Sequence, residues 1–569
     1  MKAGFVAVTT ALVISAFAAR SEAGPCVRKD LKTVMVSEAC AKGGQDAAKA
    51  AMKSFMGDKK IKTCNQCHSK LAPSYELKAD GLTQFAKLGG ALLPVKAKKD
   101  PPKPPDPKQD VKPGPPQDRR NGGEPAGFAP QIPGDPMIRY EKYTLGNGLE
   151  ILLAPDPSVP VVSVNVWYHV GSGYEQYGKS GFAHLFEHMM FQGSKHVGED
   201  KHFDLLKKIG VTDVNGTTNS DRTNYYETVP SNQLETALWL ESDRMGYLLQ
   251  PPVGKDGKPV EFKVSLANQI EVVRNERRQR YDNEAYGKIR FALAAALYPE
   301  RHPYRYLTIG KHEDLANASV ADVQNFFKTW YVPANATLAI VGDFDLADAK
   351  KLVEKWFTKF PKSSRPKPVV VPAPAIKSLD VAVDDSFAKL RRVQFVWHSP
   401  ASYAAGDAEL DFVANALGRE GTGRLFKALV YDRPLAQSVN AFQGGQQFSG
   451  QFQISVTLRS DASLDEVKKI VAAEVAKILK EPITDKEFSR LIASNEAGTV
   501  RSLETTMGRA ETLQSYNHFL GDPNKITWDL DRYRKTTPAK IRDAAAQYLR
   551  PDRMVTAVTN PSNPAAGGK

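Results

Sequence analysis

The stretch from Pro94 to Pro136, which includes Lys99-Asp-Pro-Pro-Lys-Pro-Pro-Asp-Pro-Lys108, sets the first limit on how this chain can fold. Proline fixes φ and lacks an amide donor, and the run carries too little apolar surface to bury, so it joins neither a helix nor a sheet core. It predicts an extended, semi-rigid spacer, and whatever packs must pack on either side of it. A second proline-dense stretch, Pro361 to Pro374, divides the remainder into segments of roughly two hundred residues, each near the usual size of one domain. A chain of 569 residues with ordinary hydrophobic content needs several cores in any case. The expected layout is a leader over 1–23, a small module over 24–93, a linker over 94–136, and two larger domains over 137–360 and 361–569.

The two larger segments end alike. Ser319 opens a helix running to Tyr331-Val-Pro333, followed by the apolar strand Ala336 to Val341; Thr537-Pro538 opens another running to Tyr548-Leu-Arg-Pro551, followed by the strand Met554 to Val558. Both helices begin on a capping residue and stop before a proline. A duplicated unit is the economical reading. In the first copy, Tyr143 to Leu153 reads as a hairpin on Asn147-Gly148, Val161 to His169 alternates like a half-buried strand, and helices are expected over 180–191, 231–249 and 264–280. The predicted class is α+β, with two homologous domains, each an antiparallel sheet packed with helices.

Met1-Lys2, the apolar run Ala3 to Ala19 and the small-x-small site Ser21-Glu22-Ala23 predict a cleaved export signal and a periplasmic or extracellular protein. No later segment approaches ~20 consecutive apolar residues, so no integral membrane segment is expected in the mature chain. The net charge of +13 comes with no cluster of Lys and Arg interleaved with aromatics, which argues against a nucleic-acid partner.

Chemistry concentrates at His184-Leu185-Phe186-Glu187-His188. On a helix, residues four apart share a face, so His184 and His188 can present two imidazoles to one metal, with Glu187 beside them as a base. A hydrolytic zinc centre needs a third protein ligand, and Gln269 to Arg280 offers Glu271 and Glu276. Helical phase separates them: Glu276 follows Val272 and Val273 by four and three residues, which places it on their inward face, and Glu271 lies on another. Glu276 is the expected ligand.

With Ser180 to Gly193 and Glu276 in view, the chain over about 137–569 resembles the pitrilysin/insulinase family of zinc peptidases, inverzincins that include mitochondrial processing peptidase. The resemblance implies zinc on His184, His188 and Glu276, with Glu187 activating water, and proteolysis of extended peptides. It implies further that the peptide adds as a strand along Val214 to Thr218, with Asn215, Gly216 and Thr217 as substrate-binding residues. The spacing from motif to distal glutamate is longer than the family's, and the polar loop Pro251 to Pro259 accounts for the excess.

One family feature is absent: where an arginine and, seven residues on, a tyrosine should contact substrate, the stretch Arg424 to Asn440 places Val430 and Gln437. The family's closed chamber also needs two pairs of domains, and this chain has one. A second peptidase-family subunit, or a second copy forming a homodimer, is therefore expected. Near the N-terminus, Cys64-Asn-Gln-Cys67-His68 has the spacing of covalent haem c attachment, with a pair of disulfides among Cys26, Cys40, Cys64 and Cys67 as the alternative. Beside the metalloendopeptidase stand two other readings: a non-catalytic scaffold or partner-recognition subunit, and a redox protein built on Cys64 to His68.

Overall fold

The computed structural model describes residues 134–367 and 377–562, with single positions at 371 and 374 and a few between Val36 and Phe55. Of two compact units, Met1–Gln117 and Asp118–Lys569, the second holds every strand described below. Cys26, Cys40, Cys64, Cys67, His68, the leader and most of the proline-rich spacer lie outside the described residues. Among the described residues no helix is long and apolar enough to cross a membrane.

The unit is built on two sheets. Strands β1 (Glu141–Thr144), β2 (Glu150–Pro155), β3 (Val161–Tyr168), β4 (Asp213–Thr218), β5 (Thr223–Pro230) and β6 (Ala336–Gly342) form a six-stranded sheet in the order β1-β2-β6-β3-β5-β4. Strands β7 (Leu379–Asp385), β8 (Arg392–Ser399), β9 (Ala436–Gly445), β10 (Gly450–Leu458) and β11 (Val555–Pro561) form a five-stranded sheet in the order β7-β11-β8-β10-β9. Without β1 the two orders correspond strand for strand. The first hairpin turns through Asn147 and Gly148, the latter in the left-handed region at φ 97°, where glycine carries no steric cost. The sheets are mixed, not antiparallel as expected: β6 runs parallel to β2, and β11 parallel to β7. In each case the chain leaves the sheet, builds helices and returns between two strands already in place, so one of its two neighbours must be parallel.

The helices that position the site are α1 (Phe182–Met189), α2 (Leu234–Tyr247), α3 (Phe262–Arg277), α4 (Lys288–Leu297) and α5 (Val320–Trp330). Later in the chain come α6 (Asp407–Gly418), α7 (Asp485–Ser502), α8 (Thr506–Leu520) and α9 (Pro538–Tyr548). Helix α5 starts on a reciprocal capping box between Ser319 and Asp322, and α9 on Thr537, whose side chain accepts from the Lys540 amide.

Each sheet has one face on its own helices and the other on a helix from the far side of the proline-rich divide. Helix α8 lies across the first sheet, where Ala510, Leu513 and Tyr516 pack with Leu152, Ala339 and Val341. Helix α4 lies under the second, where Ile289, Leu293 and Leu297 pack with Val396, Val555 and Ala557. This exchange explains why β3 is buried along nearly its whole length and not half-buried as its alternation suggested. Val162, Val164 and Val166 enter the main core, and the polar alternates meet polar partners on α8: Ser163 bonds Thr506 at 2.7 Å, and Asn165 donates to Glu511 at 2.6 Å.

The second sheet's helices are pinned by Glu487, which completes the capping box of α7 with Thr484 and accepts two hydrogen bonds from Arg424, at 2.8 and 2.7 Å. Burial alone would raise this carboxyl, but Arg424 and the Thr484 donors outweigh it and hold it at about 2 against an ordinary 4.5. A depressed acid stabilises the fold above its unfolded pKa and loses that contribution as pH falls through the folded value. We therefore expect Glu487→Gln to cost about 2–3 kcal/mol at neutral pH and almost nothing near pH 2. Thermal melts of both proteins from pH 7 to 3 should show the two melting temperatures converging.

Candidate metal centre

Helix α1 is short and two-sided. Phe182, Ala183, Leu185, Phe186 and Met189 are buried, which leaves His184, Glu187 and His188 as a partly exposed stripe. Glu175, upstream in the chain, closes its N-terminus by accepting from the amides of Gly181 (3.0 Å) and Ala183 (2.8 Å). Its two oxygens satisfy otherwise unpaired donors, while burial pushes the carboxyl up to about 8.

Helix α3 crosses α1 and brings Glu276 to the two histidines. Its Oε2 lies 3.6 Å from His184 Nε2 and 3.4 Å from His188 Nε2, and the two Nε2 atoms are 3.3 Å apart. A tetrahedral ion with ligands at about 2.0–2.2 Å sets them about 3.3–3.6 Å from one another, so the donor set fits zinc in both chemistry and spacing. Burial, and next the charge of His188, push His184 down to about 4, which keeps its ring neutral and its lone pair available. The hydrogen bond with His188 leads the influences that hold Glu276 below the ordinary carboxyl range. Its other oxygen accepts from Arg280 at 2.9 Å, one turn on, which fixes the orientation of the carboxylate. Just past Glu276 the helix widens into a π turn over Arg278–Asp282.

The inward phase assigned to Val272 does not hold, since that residue is 44% exposed. Gln269 and Val273 face inward, and Glu276 follows them by seven and three residues. Glu271 stands on the solvent side, paired with Arg274 at 2.5 Å. The loop Pro251 to Pro259 folds on itself, with Gly254 donating to the Lys258 carbonyl at 2.7 Å.

Glu187 points to the edge of the first sheet. Thr218 donates to its Oε2 at 2.6 Å, and Gly216 approaches so closely that a β-carbon there would sit 3.0 Å from Glu187 Cγ and 2.9 Å from Phe191 Cε2. Burial raises the Glu187 carboxyl, the Thr218 bond lowers it, and burial prevails. Among the described residues strand β4 has β5 on one side only, which leaves its other side open. The Asn219 amide bonds the Arg222 carbonyl, and in an antiparallel ladder the hydrogen-bonded pairs recur every second residue. Asn215 and Thr217 therefore turn their main-chain groups inward to Tyr226 and Asn224. Of the three residues expected to hold substrate, Gly216 alone presents main-chain groups to the open edge, together with Val214 and Thr218. The Gly216 amide meanwhile donates to the Asn215 side chain at 2.9 Å.

Four residues at or behind this site were missed from sequence: Glu175, Thr218, Arg280 and Arg244. Arg280 was within reach, four residues after Glu276 on one helix face, and Thr218 follows from strand alternation with Gly216. In the Arg424 to Asn440 stretch, Val430 packs against the second core, Gln437 is exposed on β9, Tyr431 is exposed and Arg433 pairs with Glu466.

The description "Insulinase (Peptidase family M16)" fits residues 150–245, around the motif, and "Peptidase M16 inactive domain" fits residues 317–495. The chain belongs to the insulinase family, peptidase M16. Helix α6, which packs on the second sheet as α1 packs on the first, reads Asp-Ala-Glu-Leu-Asp-Phe-Val-Ala-Asn-Ala-Leu-Gly and holds no histidine, so it lacks the pair that α1 carries. The chain is similar to the zinc protease PqqE of Helicobacter pylori, 26% identical over 75% of this chain and 94% of that protein. Its fold is that of a protease from Helicobacter pylori (TM-score 0.67, 24% identity, covering 74% of this chain and 100% of that one). It is also that of the periplasmic protease PqqL from Escherichia coli, of which it spans 48% (TM-score 0.62, 18% identity, 77% of this chain).

Proposed function

We propose that the chain is a zinc-dependent endopeptidase acting on extended peptides or unfolded segments. The observation that carries this reading is the place of Glu187, between the cluster of His184, His188 and Glu276 and the outward main chain of β4. A zinc ion held by those three residues would supply the positive charge that polarises a peptide carbonyl and acidifies water. The protein's own groups do the rest. Val214, Gly216 and Thr218 hold a peptide as an added strand, which requires it to be extended and tolerates varied sequence. Glu187, raised by burial and steadied by Thr218, takes the proton of the attacking water and returns it to the leaving amine. The likeness to zinc proteases and to a periplasmic protein supports zinc and export alike.

We take 137–360 as the catalytic domain and 361–569 as its non-catalytic homologue. A second copy or a related subunit completes the chamber, because Val430 and Gln437 stand where an arginine and a tyrosine would reach substrate.

Glu187→Gln should keep zinc at wild-type stoichiometry and cut turnover of a quenched peptide library by about a thousandfold. Zinc bound to the wild type without Glu187-dependent cleavage, at any chain concentration or with any added subunit, would make this a scaffold.

A further inference from the structure

Directly behind the edge strand lies a group of charges that the proposed chemistry does not use. Arg244 on α2, Glu241 one turn before it and Glu227 on β5 are at most 2% exposed, as is His202 on the short helix His202–Lys208. Arg244 donates through Nε to Glu241 at 2.9 Å, makes a second bond to the same carboxylate, and lies 3.9 Å from Glu227. His202, Glu227 and Glu241 bring their donor atoms within 4.8 Å of one another, and Arg244 supplies a cation beside them. Burial, and next the Glu241 carboxylate, hold Glu227 well above the ordinary range.

Stability does not account for this arrangement. Two ions removed from water cost several kcal/mol each, and apolar side chains of the same volume commonly serve the fold as well or better. Its position offers another account. The guanidinium lies 4.4 Å from the ring centre of Tyr225 and 5.1 Å from that of Phe191. Tyr225 pairs across the ladder with Gly216, and those two rings, with Glu187, form the surface on which the Gly216 α-carbon rests. The His202 ring meets Phe191 edge-on at 5.4 Å, closing the far side.

We infer that Arg244 is a positioning residue, which acts through Phe191 and Tyr225 to hold the edge strand at Gly216 in fixed register with Glu187. The inference rests on the endopeptidase reading for its kinetic consequence only. A guanidinium anchored by Glu241 cannot slide, and it gives two aromatic rings a flat, charged plate that an aliphatic filler would lack.

The test compares wild type with an apolar replacement, Glu227→Leu/Glu241→Leu/Arg244→Met, and with Arg244→Lys. The apolar variant should melt within a few degrees of wild type and bind one zinc per chain, while kcat falls by about tenfold or more and KM changes by less than about threefold. Amide exchange over 213–218 should quicken by about tenfold, with the central strand 336–342 unchanged. Arg244→Lys should fall between, and it carries the test alone should the triple variant not fold. Wild-type kcat and wild-type exchange in a folded variant lacking Arg244 would overturn the inference, as would two zinc ions per wild-type chain. If the wild type shows no Glu187-dependent cleavage, the endopeptidase reading fails and the exchange over 213–218 still decides the role of Arg244.

Discussion

Glu276→Ala is expected to drop bound zinc from about one ion per chain to near zero and to end peptide cleavage, and Glu271→Ala to change neither. The two glutamates sit five residues apart on one helix. Glu276 brings an oxygen within 3.6 Å of both imidazoles, and Glu271 is solvent-facing with Arg274 as partner. Glu276 is the one anionic member of the set, so two histidines alone would leave a zinc ion one ligand short and without charge compensation from the protein. Disturbing even a supporting contact costs about 10–100-fold in affinity, so loss of a ligand should cost about a thousandfold or more. Metal analysis after dialysis against a weak chelator reads this directly. A melting temperature that responds to added zinc in wild type and Glu271→Ala, but not in Glu276→Ala, reads it independently. Zinc retained by Glu276→Ala would move the third ligand elsewhere.

Gly216→Val should lower kcat/KM by about a hundredfold while leaving zinc content and secondary structure at wild-type levels. A β-carbon at this position meets Phe191 at 2.9 Å, Glu187 at 3.0 Å and Tyr225 at 3.2 Å, so the strand or the base must move by several tenths of an ångström. A valine adds two further carbons to that contact. His184, His188 and Glu276 sit on α1 and α3, not on β4, and are untouched. Steady-state kinetics with metal analysis of the same preparation checks the expectation; unchanged kcat/KM would show that the peptide does not lie along this edge.

The cluster of His184, His188 and Glu276 was largely legible because its parts are local: four-residue spacing on α1 and one helical phase on α3. Even so, Val272 misled, because β-branched residues in a charged helix need not face inward, and Gln269 proved the better marker. The duplication was legible from caps and prolines, which are read one element at a time. What escaped was long-range pairing. Helix α8 buries Thr506, Gln514 and Asn517 alongside Ala510, Leu513 and Tyr516, so polar residues interrupt its apolar positions and blur the face it covers. Arg244, Glu241 and Glu227 belong to a helix and a strand that only the fold brings together, and a lone buried charge has no signature in sequence.

The exchange of helices between the sheets also bears on how a peptide could enter. With α8 spread over the first sheet and α4 tucked beneath the second, each half wears a piece of the other, and prising them apart would strip the covers from both cores at once. The pair cannot serve as opposing jaws. On the proposed two-body chamber, the two sheets then make up one wall together, and the opening for a peptide falls between this wall and the second copy or related subunit.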